Sequence, residues 1–209
     1  MTVGPAPRIA ALILAAGRST RMGKANKLLA DLGGRPMIAR VAAAVQASGA
    51  DPVIVVTGHE REAVEAALAG QGLVFVHNPD FEAGLGSSLR RGVAALPGQA
   101  DGVVVCLGDM PRVPAAAIDR LIAAFDPPQG HAICLPTWQG KRGNPVLFAR
   151  RFFAEMQAVS GDVGARALID EYPEAVCEVA VSGDGVLSGV DTPEALAALR
   201  SGGQLGIVS

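Results

Sequence analysis

Four cations, Arg18, Arg21, Lys24 and Lys27, crowd the stretch 12-LILAAGRSTRMGKANKLL-29, directly behind an aliphatic run. Gly17 and Gly23 bracket the first part of this loop. Glycine permits tight turns and a close backbone approach to a ligand, and successive N–H groups in such a turn make an anion-binding nest. With cations around it, a nest of this kind suits phosphate. Two well-known phosphate loops are excluded by spacing. A Walker loop has four residues between its glycines and then Lys-Ser/Thr; here five residues separate Gly17 from Gly23, and Ala25 follows Lys24. The dinucleotide fingerprint Gly-x-Gly-x-x-Gly is missing as well. The residues leave two readings open, a third kind of phosphate loop or a solvated basic loop.

Two aspartates also follow apolar stretches. Asp109 ends 103-VVVCLGDMP-111, and Asp191 lies in 189-GVDTPEAL-196 just ahead of a helical pattern. Strand-end carboxylates suit a hard cation such as Mg²⁺, which accompanies a nucleoside triphosphate and takes oxygen ligands. Capping is the alternative for Asp191, since either it or Thr192 can cap the helix expected over Thr192–Arg200. Asp109 is less suited to that role, because Pro111 and Pro114 delay the next helix. The loop 78-NPDFEAGLGSSLRRGV-93 offers Ser87 and Ser88 as caps whose helix points its N–H groups at a ligand. Later come 140-GKRGNPVLF-148 and 160-SGDVGAR-166, the second with Asp162 placed as an N-cap.

Other chemistries find little support. The three histidines, His59, His77 and His131, form no His-Glu-x-x-His set, and no Gly-x-Ser-x-Gly elbow is present. Cys106, Cys134 and Cys177 are far apart and lie in or near aliphatic runs, as expected of buried free thiols in a reducing compartment.

The elements that must position these residues follow from the periodicity. Short, non-alternating runs over 8–14, 52–56, 73–76, 102–107, 132–136 and 145–148 predict strands covered on both faces. Between them, apolar residues at three- and four-residue spacing predict helices over Pro36–Ser48, Glu60–Ala69, Leu85–Leu96, Pro114–Phe125 and Val163–Glu171. Alternating strands and helices imply βαβ units, hence a doubly wound, mainly parallel α/β sheet with helices on both faces. With 209 residues and no linker or repeat, one domain over 1–209 with its core about 8–200 is expected. In such sheets ligands bind beyond the carboxyl ends of the strands, where the cationic loop and Asp109 are placed. Half of the residues are hydrophobic and net charge is −2, so neither nucleic acid nor an anionic membrane is an expected partner. The first residues lack a signal-peptide pattern and no apolar run reaches bilayer length, which predicts a cytoplasmic protein.

The motif Leu-Ala-Ala-Gly-Arg-Ser-x-Arg-Met-Gly-x-x-x-Lys over 14–27 resembles the nucleotide loop of the molybdopterin nucleotidyltransferases, a MobA-like NTP transferase family. Its Leu-Ala-Ala-Gly form is similar to the cytidylyltransferase branch. The resemblance runs from Ala11 to about Leu199 through five motifs in the expected order, including Gly-Asp-Met-Pro, Val-Asp-Thr-Pro-Glu, Gly-x-Gly-x-Ser-Leu, Arg-Gly-Asn-Pro-Val-Leu-Phe and Gly-Asp-x-Gly-Ala-Arg. It implies a Rossmann-like nucleotidyltransferase fold and a Mg²⁺-dependent enzyme that joins CMP from CTP to the phosphate of molybdopterin-type molybdenum cofactor. Implied nucleotide contacts are Leu14, Ala15, Ala16, Gly17, Arg18, Lys27, Asn78, Gly86 and Ser87. Arg21, Lys27 and Asp109 would be catalytic, and Asp109 and Asp191 would share the metal. Arg142, Asn144, Asp162 and Arg166 would border the acceptor phosphate. A molybdenum hydroxylase apoenzyme is the downstream partner this would serve. One departure is the three-residue gap between Gly23 and Lys27, where two are common, which makes Lys24 a further phosphate candidate. Two alternatives stand beside this reading: the same chemistry with GTP or another acceptor, and a non-catalytic cofactor-handling protein.

Overall fold

The computed structural model describes residues 6–19, 26–161 and 164–201. Arg21, Gly23, Lys24 and Asp162, singled out above, lie outside these. The described residues form an eight-stranded sheet in the order β3-β2-β1-β4-β7-β5-β6, with β8 also paired to β5. β1 (Ile9–Ala15) is buried along its whole length, as are β2 (Val53–Thr57) and β7 (Val146–Ala149). That is why these runs show no alternation: both faces of the strand meet apolar neighbours.

β1 pairs in parallel with β2 on one side and with β4 (Gly102–Leu107) on the other, and β3 (Val74–His77) extends the β2 edge. The chain therefore builds outward from β1 in one direction, then returns to lay β4 on its opposite flank. The crevice beyond the carboxyl ends of β1 and β4 is the switch point of the sheet, where open α/β folds bind ligands. β5 (Ile133–Trp138) pairs in parallel with β8 (Val176–Ala180). β7 lies antiparallel between β4 and β5, so β4 and β5 run in the same direction. Only β7 and the two-residue β6 (Lys141–Arg142) reverse it, and the sheet is mainly parallel, as the alternation of strands and helices implies.

The reversal has a local cause. Gln139 and Gly140 both take positive φ, 50° and 74°, in the two-residue turn joining β5 to β6. Two such residues make the primed turn that matches strand twist, so the chain doubles back as a hairpin.

Helices cover both faces. Adjacent residues of a strand point to opposite sides. On the side of Ile13 and its register partner Cys106, α1 (Met37–Gln46) and α4 (Ala115–Ala124) contribute Val41, Val45 and Ile118 around the Cys106 thiol. On the side of Leu12, α3 (Leu85–Ala94) packs with Gly92 against β1; a Cβ on Gly92 would lie 2.3 Å from Leu12 Cδ1. The missing side chain is what lets α3 close onto the strand, and overpacking by one methyl is destabilising. α2 (Arg61–Ala67), α5 (Phe153–Ala158) and α6 (Arg166–Glu171) are short. Cys106 and Cys134 are buried, and burial pushes both thiols up to about 12, so they are protonated and unreactive at neutral pH.

The last helix, α7 (Pro193–Ser201), does not join the main core. Its Leu196 packs with Val190, Leu32 and Met37 in a separate small cluster. Thr192 Oγ1 accepts from Ala195 N at 3.2 Å, so the N-terminal turn of α7 is capped by Thr192. Among the described residues, no helix is long and apolar enough to cross a membrane.

Three elements were not expected from periodicity, the two-residue β6 among them. In β8 (VCEVA) only Val179 is buried and the rest is partly or fully exposed, so its pattern is faint. α5 is six residues long and carries one buried side chain, Met156, too few to register a helical repeat.

Candidate active site

A cleft of about 330 Å³ opens at the switch point. Its floor is Leu14 and Leu107, at the carboxyl ends of β1 and β4. One wall is the backbone leaving β1, with Ala16, Gly17, Arg18 and Ser19. The opposite wall comes from the segment after β3: Phe81, Glu82, Gly84, Leu85 and Ser88. Lys27, Asp109 and Asp191 close one end.

Each charged group reaches that end by its own route. Asp109 needs only β4, whose strand terminates two residues earlier. Lys27 is delivered by a short 3-10 turn, Lys27–Leu29. Asn26 caps this turn by accepting from Leu28 N at 3.1 Å, and Ser19 Oγ accepts from Lys27 N at 3.1 Å. Ser19 itself has φ 53°, a conformation few non-glycine residues adopt, so the loop is tightly constrained where it leaves the strand. Asp191 depends on tertiary structure. Val190 N donates to Asp109 O at 2.9 Å, while Val190 and Leu196 anchor the segment in its small apolar cluster.

The three side chains meet at a single point. Lys27 Nζ donates to Asp109 Oδ2 at 2.5 Å and to Asp191 Oδ1 at 2.6 Å, across 82 and 164 positions of sequence. Burial, the largest single influence on Lys27, disfavours its ammonium form. The charge and hydrogen bond of Asp109, joined by those of Asp191, outweigh it and hold the pKa above the ordinary lysine value. The group is a protonated cation at neutral pH. The other oxygen of Asp109, Oδ1, is buried without a hydrogen-bond partner. A buried carboxylate oxygen with no donor is costly in a protein interior unless a cation uses it.

These features fit a divalent cation. Two carboxylates converge on one position already holding a positive charge, and a spare buried oxygen lies beside it. Among the described residues, no group of three or more His, Cys, Asp and Glu could hold a metal. The protein thus offers a partial oxygen set, which suits an ion that keeps water and substrate phosphates as its other ligands.

Of the residues expected at a nucleotide site, Leu14, Ala16, Gly17, Arg18 and Lys27 line the cleft, together with the metal candidates Asp109 and Asp191. Ala15 is the buried last residue of β1 and does not face it. Asn78, Gly86 and Ser87 stand behind the wall. Asn78 Nδ2 donates to Ser87 Oγ and Ser88 Oγ at 2.9 and 3.0 Å, and Ser87 Oγ bonds the backbone oxygens of Asp80 and Gly84. Those groups hold the turn into α3, and Ser88 is the serine that reaches the cleft. Gly86 N donates to Gly161 O at 2.8 Å, and a Cβ there would lie 3.0 Å from that oxygen, so glycine lets the 159–161 backbone rest on α3.

The acceptor candidates lie apart from the cleft lining. Arg142, on β6, bonds Glu178 of β8 at 2.8 Å, Asn144 N donates to Val186 O at 2.8 Å, and Arg166 is the first residue of α6. Sequence reasoning passed over Ser19, Asn26, Phe81, Glu82 and Leu85, and named Ser88 only as a helix cap beside Ser87. The Asn-Lys-Leu-Leu string carried a capping signal for Asn26; Phe81 and Leu85 carried none, because one looked like loop and the other like the first residue of a helix. Arg18 Nη1 and Glu82 Oε1 form an ion pair at 3.1 Å between the two walls.

A family model, MobA-like NTP transferase domain, matches residues 11–176. Bifunctional protein GlmU of Rhizorhabdus wittichii is 38% identical over 170 residues, 81% of this chain and 35% of GlmU. The chain spans about a third or less of the GlmU relatives it matches, 35%, 27% and 26% of their lengths. Nicotine blue oxidoreductase of Paenarthrobacter nicotinovorans is 29% identical over 193 residues, 90% of this chain and 94% of that protein. The crystal structure of Rv0371c from Mycobacterium tuberculosis H37Rv shares the fold at TM-score 0.84 and 32% identity, over 95% of this chain and 100% of that one. The same protein has also been solved as a complex with manganese. With its matched residues spanning most of its length and its fold shared, the chain belongs to the MobA-like NTP transferase domain family.

Proposed function

We propose that the cleft between β1 and β4 takes CTP with Mg²⁺ and that the protein transfers CMP to the phosphate of molybdopterin-type molybdenum cofactor, releasing pyrophosphate. The observation that carries the reading is the meeting of Lys27, Asp109 and Asp191 at one end of a glycine-bounded cleft. The Leu-Ala-Ala-Gly form of the loop supports the base, and the motifs around Arg142, Asn144, Asp162 and Arg166 support the acceptor.

In the reaction an acceptor phosphate oxygen attacks the α-phosphorus. A new P–O bond forms as the bond to the β-phosphate breaks, and the electron pair leaves with pyrophosphate. The attacking oxygen is already an anion, so the protein needs no general base. Its work is alignment and charge neutralisation. The backbone of Leu14–Gly17 lies against the base. Lys27, Arg18 and Arg21 counter the phosphates. A divalent ion held by Asp109 and Asp191 would neutralise phosphate charge that the cations leave uncovered. Phe81 and Leu85 supply an apolar wall that keeps water off one side of the nucleotide. Arg142, Asn144 and Arg166 receive the acceptor, and a molybdenum hydroxylase apoenzyme in the cytoplasm is the consumer of the product.

Titration of CTP, GTP and ATP in Mg²⁺, with pyrophosphate release measured in the presence and absence of molybdenum cofactor, tests this. CTP preference with acceptor-dependent release supports it. GTP preference overturns the base, and absence of nucleotide binding overturns the function. The near full-length match to nicotine blue oxidoreductase favours a second reading, a redox role for the same cleft. NADH or NADPH binding that competes with CTP would favour that one.

A further inference from the structure

In the structure the position between Asp109 and Asp191 is held by a side chain of the protein itself. Lys27 Nζ lies within 2.6 Å of an oxygen from each carboxylate. A divalent ion bound by the same two oxygens would have to share that space with an ammonium, and two cations at such range repel more strongly the less water screens them. The Lys27 and Asp109 side chains are 13% and 20% exposed, so solvent screens that pair less than a surface pair, while Asp191, at 43%, meets water. Its main chain is held by Ser19 and Asn26, yet a lysine head on its four-carbon stem can swing without moving that backbone. The direction open to it is the cleft, which Lys27 also lines, and into which nucleotide phosphates would come.

We propose that Lys27 is an internal counter-ion that occupies the divalent-cation position until nucleotide phosphates draw its ammonium away, so that metal binds the nucleotide-loaded protein far better than the free one. This rests on the reading of Asp109 and Asp191 as the metal pair. One lysine then serves two acceptors in turn. Before nucleotide arrives it prevents two nearby carboxylates from repelling each other. Afterwards it neutralises phosphate, and the vacated carboxylates are the ligands the metal requires. Because the two bindings share one side chain, each strengthens the other by the same factor.

Binding of Mn²⁺ alone, followed by the loss of its free-ion paramagnetic resonance signal, tests the inference without nucleotide, acceptor or turnover. Lys27→Met removes the charge and should bind Mn²⁺ about tenfold or more tighter than the wild type, an increase in keeping with removal of one charge from a partly screened site. Lys27→Gln is a second neutral replacement, for use if the methionine variant folds poorly by circular dichroism. Lys27→Arg keeps the charge and should stay as weak as the wild type. The gain should vanish when Asp109→Asn is combined with Lys27→Met. Equal or weaker Mn²⁺ binding by the neutral variants overturns the proposal. So does an equal gain in the arginine variant, or a gain that survives Asp109→Asn. Pyrophosphate release is a separate readout: its absence in a wild type whose neutral variants do gain Mn²⁺ affinity would overturn the proposed reaction and leave the counter-ion role standing.

Discussion

The carboxyl end of β1 and β4 and the β5–β6 hairpin both present charged residues beside aliphatic strands, yet they use that charge differently. At the first, Lys27 is largely buried and bonded to two carboxylates, one of which keeps a buried oxygen without a donor. At the second, Arg142 is half exposed and makes one surface pair with Glu178, itself half exposed. Surface pairs of this kind contribute ~0–1 kcal/mol, whereas removing one partner of a buried charge cluster leaves the rest uncompensated. The cleft end is therefore poised for a ligand that rearranges charge. The hairpin pair can open at little expense, which is what the acceptor role proposed for Arg142 would require. A similar contrast separates Ser88 from Ser87 on the helix facing the cleft: one faces it, while the other has both its acceptors within the turn.

The sharpest way to break this contrast is Asp109→Asn. Loss of one carboxylate charge at the reacting end should lower nucleotidyl transfer by roughly 10²- to 10³-fold, on the scale of removing one preorganised electrostatic contact, read by initial rates of pyrophosphate release. A comparable loss from an Arg142 variant would erase the distinction between the two ends. Next comes Leu196→Ala, which attacks the small cluster that carries Asp191. We expect about 2–3 kcal/mol of stability lost in urea titration, at the lower end for a buried leucine because Leu196 is 8% exposed. Metal affinity should fall with it while the main core keeps its cooperativity. Ala16→Gly, on the cleft wall, should narrow discrimination between CTP and GTP by about tenfold in competitive binding, the scale of one methyl in a pocket. The smallest effect is expected from Arg142→Ala. Stability should change by no more than ~0.5 kcal/mol, as at most surface positions, with a several-fold rise in acceptor KM and no change in CTP affinity.

Much of the fold was legible in the chain because its strands are buried on both faces. Uninterrupted Ile, Val and Leu runs placed β1, β2, β4 and β7 to within a residue or two of their observed ends. Apolar spacing did the same for α1, α3 and α4. What escaped were elements defined by their partners. β6 is two residues long and exists as a strand only because Thr137 and Trp138 lie opposite it. β8 is half exposed, and α5 has a single buried residue. Within the site, residue type and position marked the basic loop and Asp109 as candidates while leaving a solvated loop open, and the structure brings Arg18, Lys27 and Asp109 to one cleft. Asp191 was ambiguous, because an aspartate ahead of Thr-Pro-Glu is equally a helix cap; the structure gives the cap at Ala195 N to Thr192 and turns Asp191 toward Lys27.

Which groups are available is written locally along the chain: a glycine-bounded cationic loop behind a buried strand, a carboxylate at another strand's end, and no His-Glu-x-x-His or Gly-x-Ser-x-Gly motif. Those are local properties, set by residue type and by the periods of helix and strand. Tertiary structure alone decided which of those groups meet. Lys27 reaches Asp191 across 164 positions because Val190 bonds to the backbone of Asp109 and Leu196 buries itself beside Leu32 and Met37. Long-range packing of that kind leaves no periodic mark in a chain, since each partner is written in a different segment and acquires its role only when the other is in place.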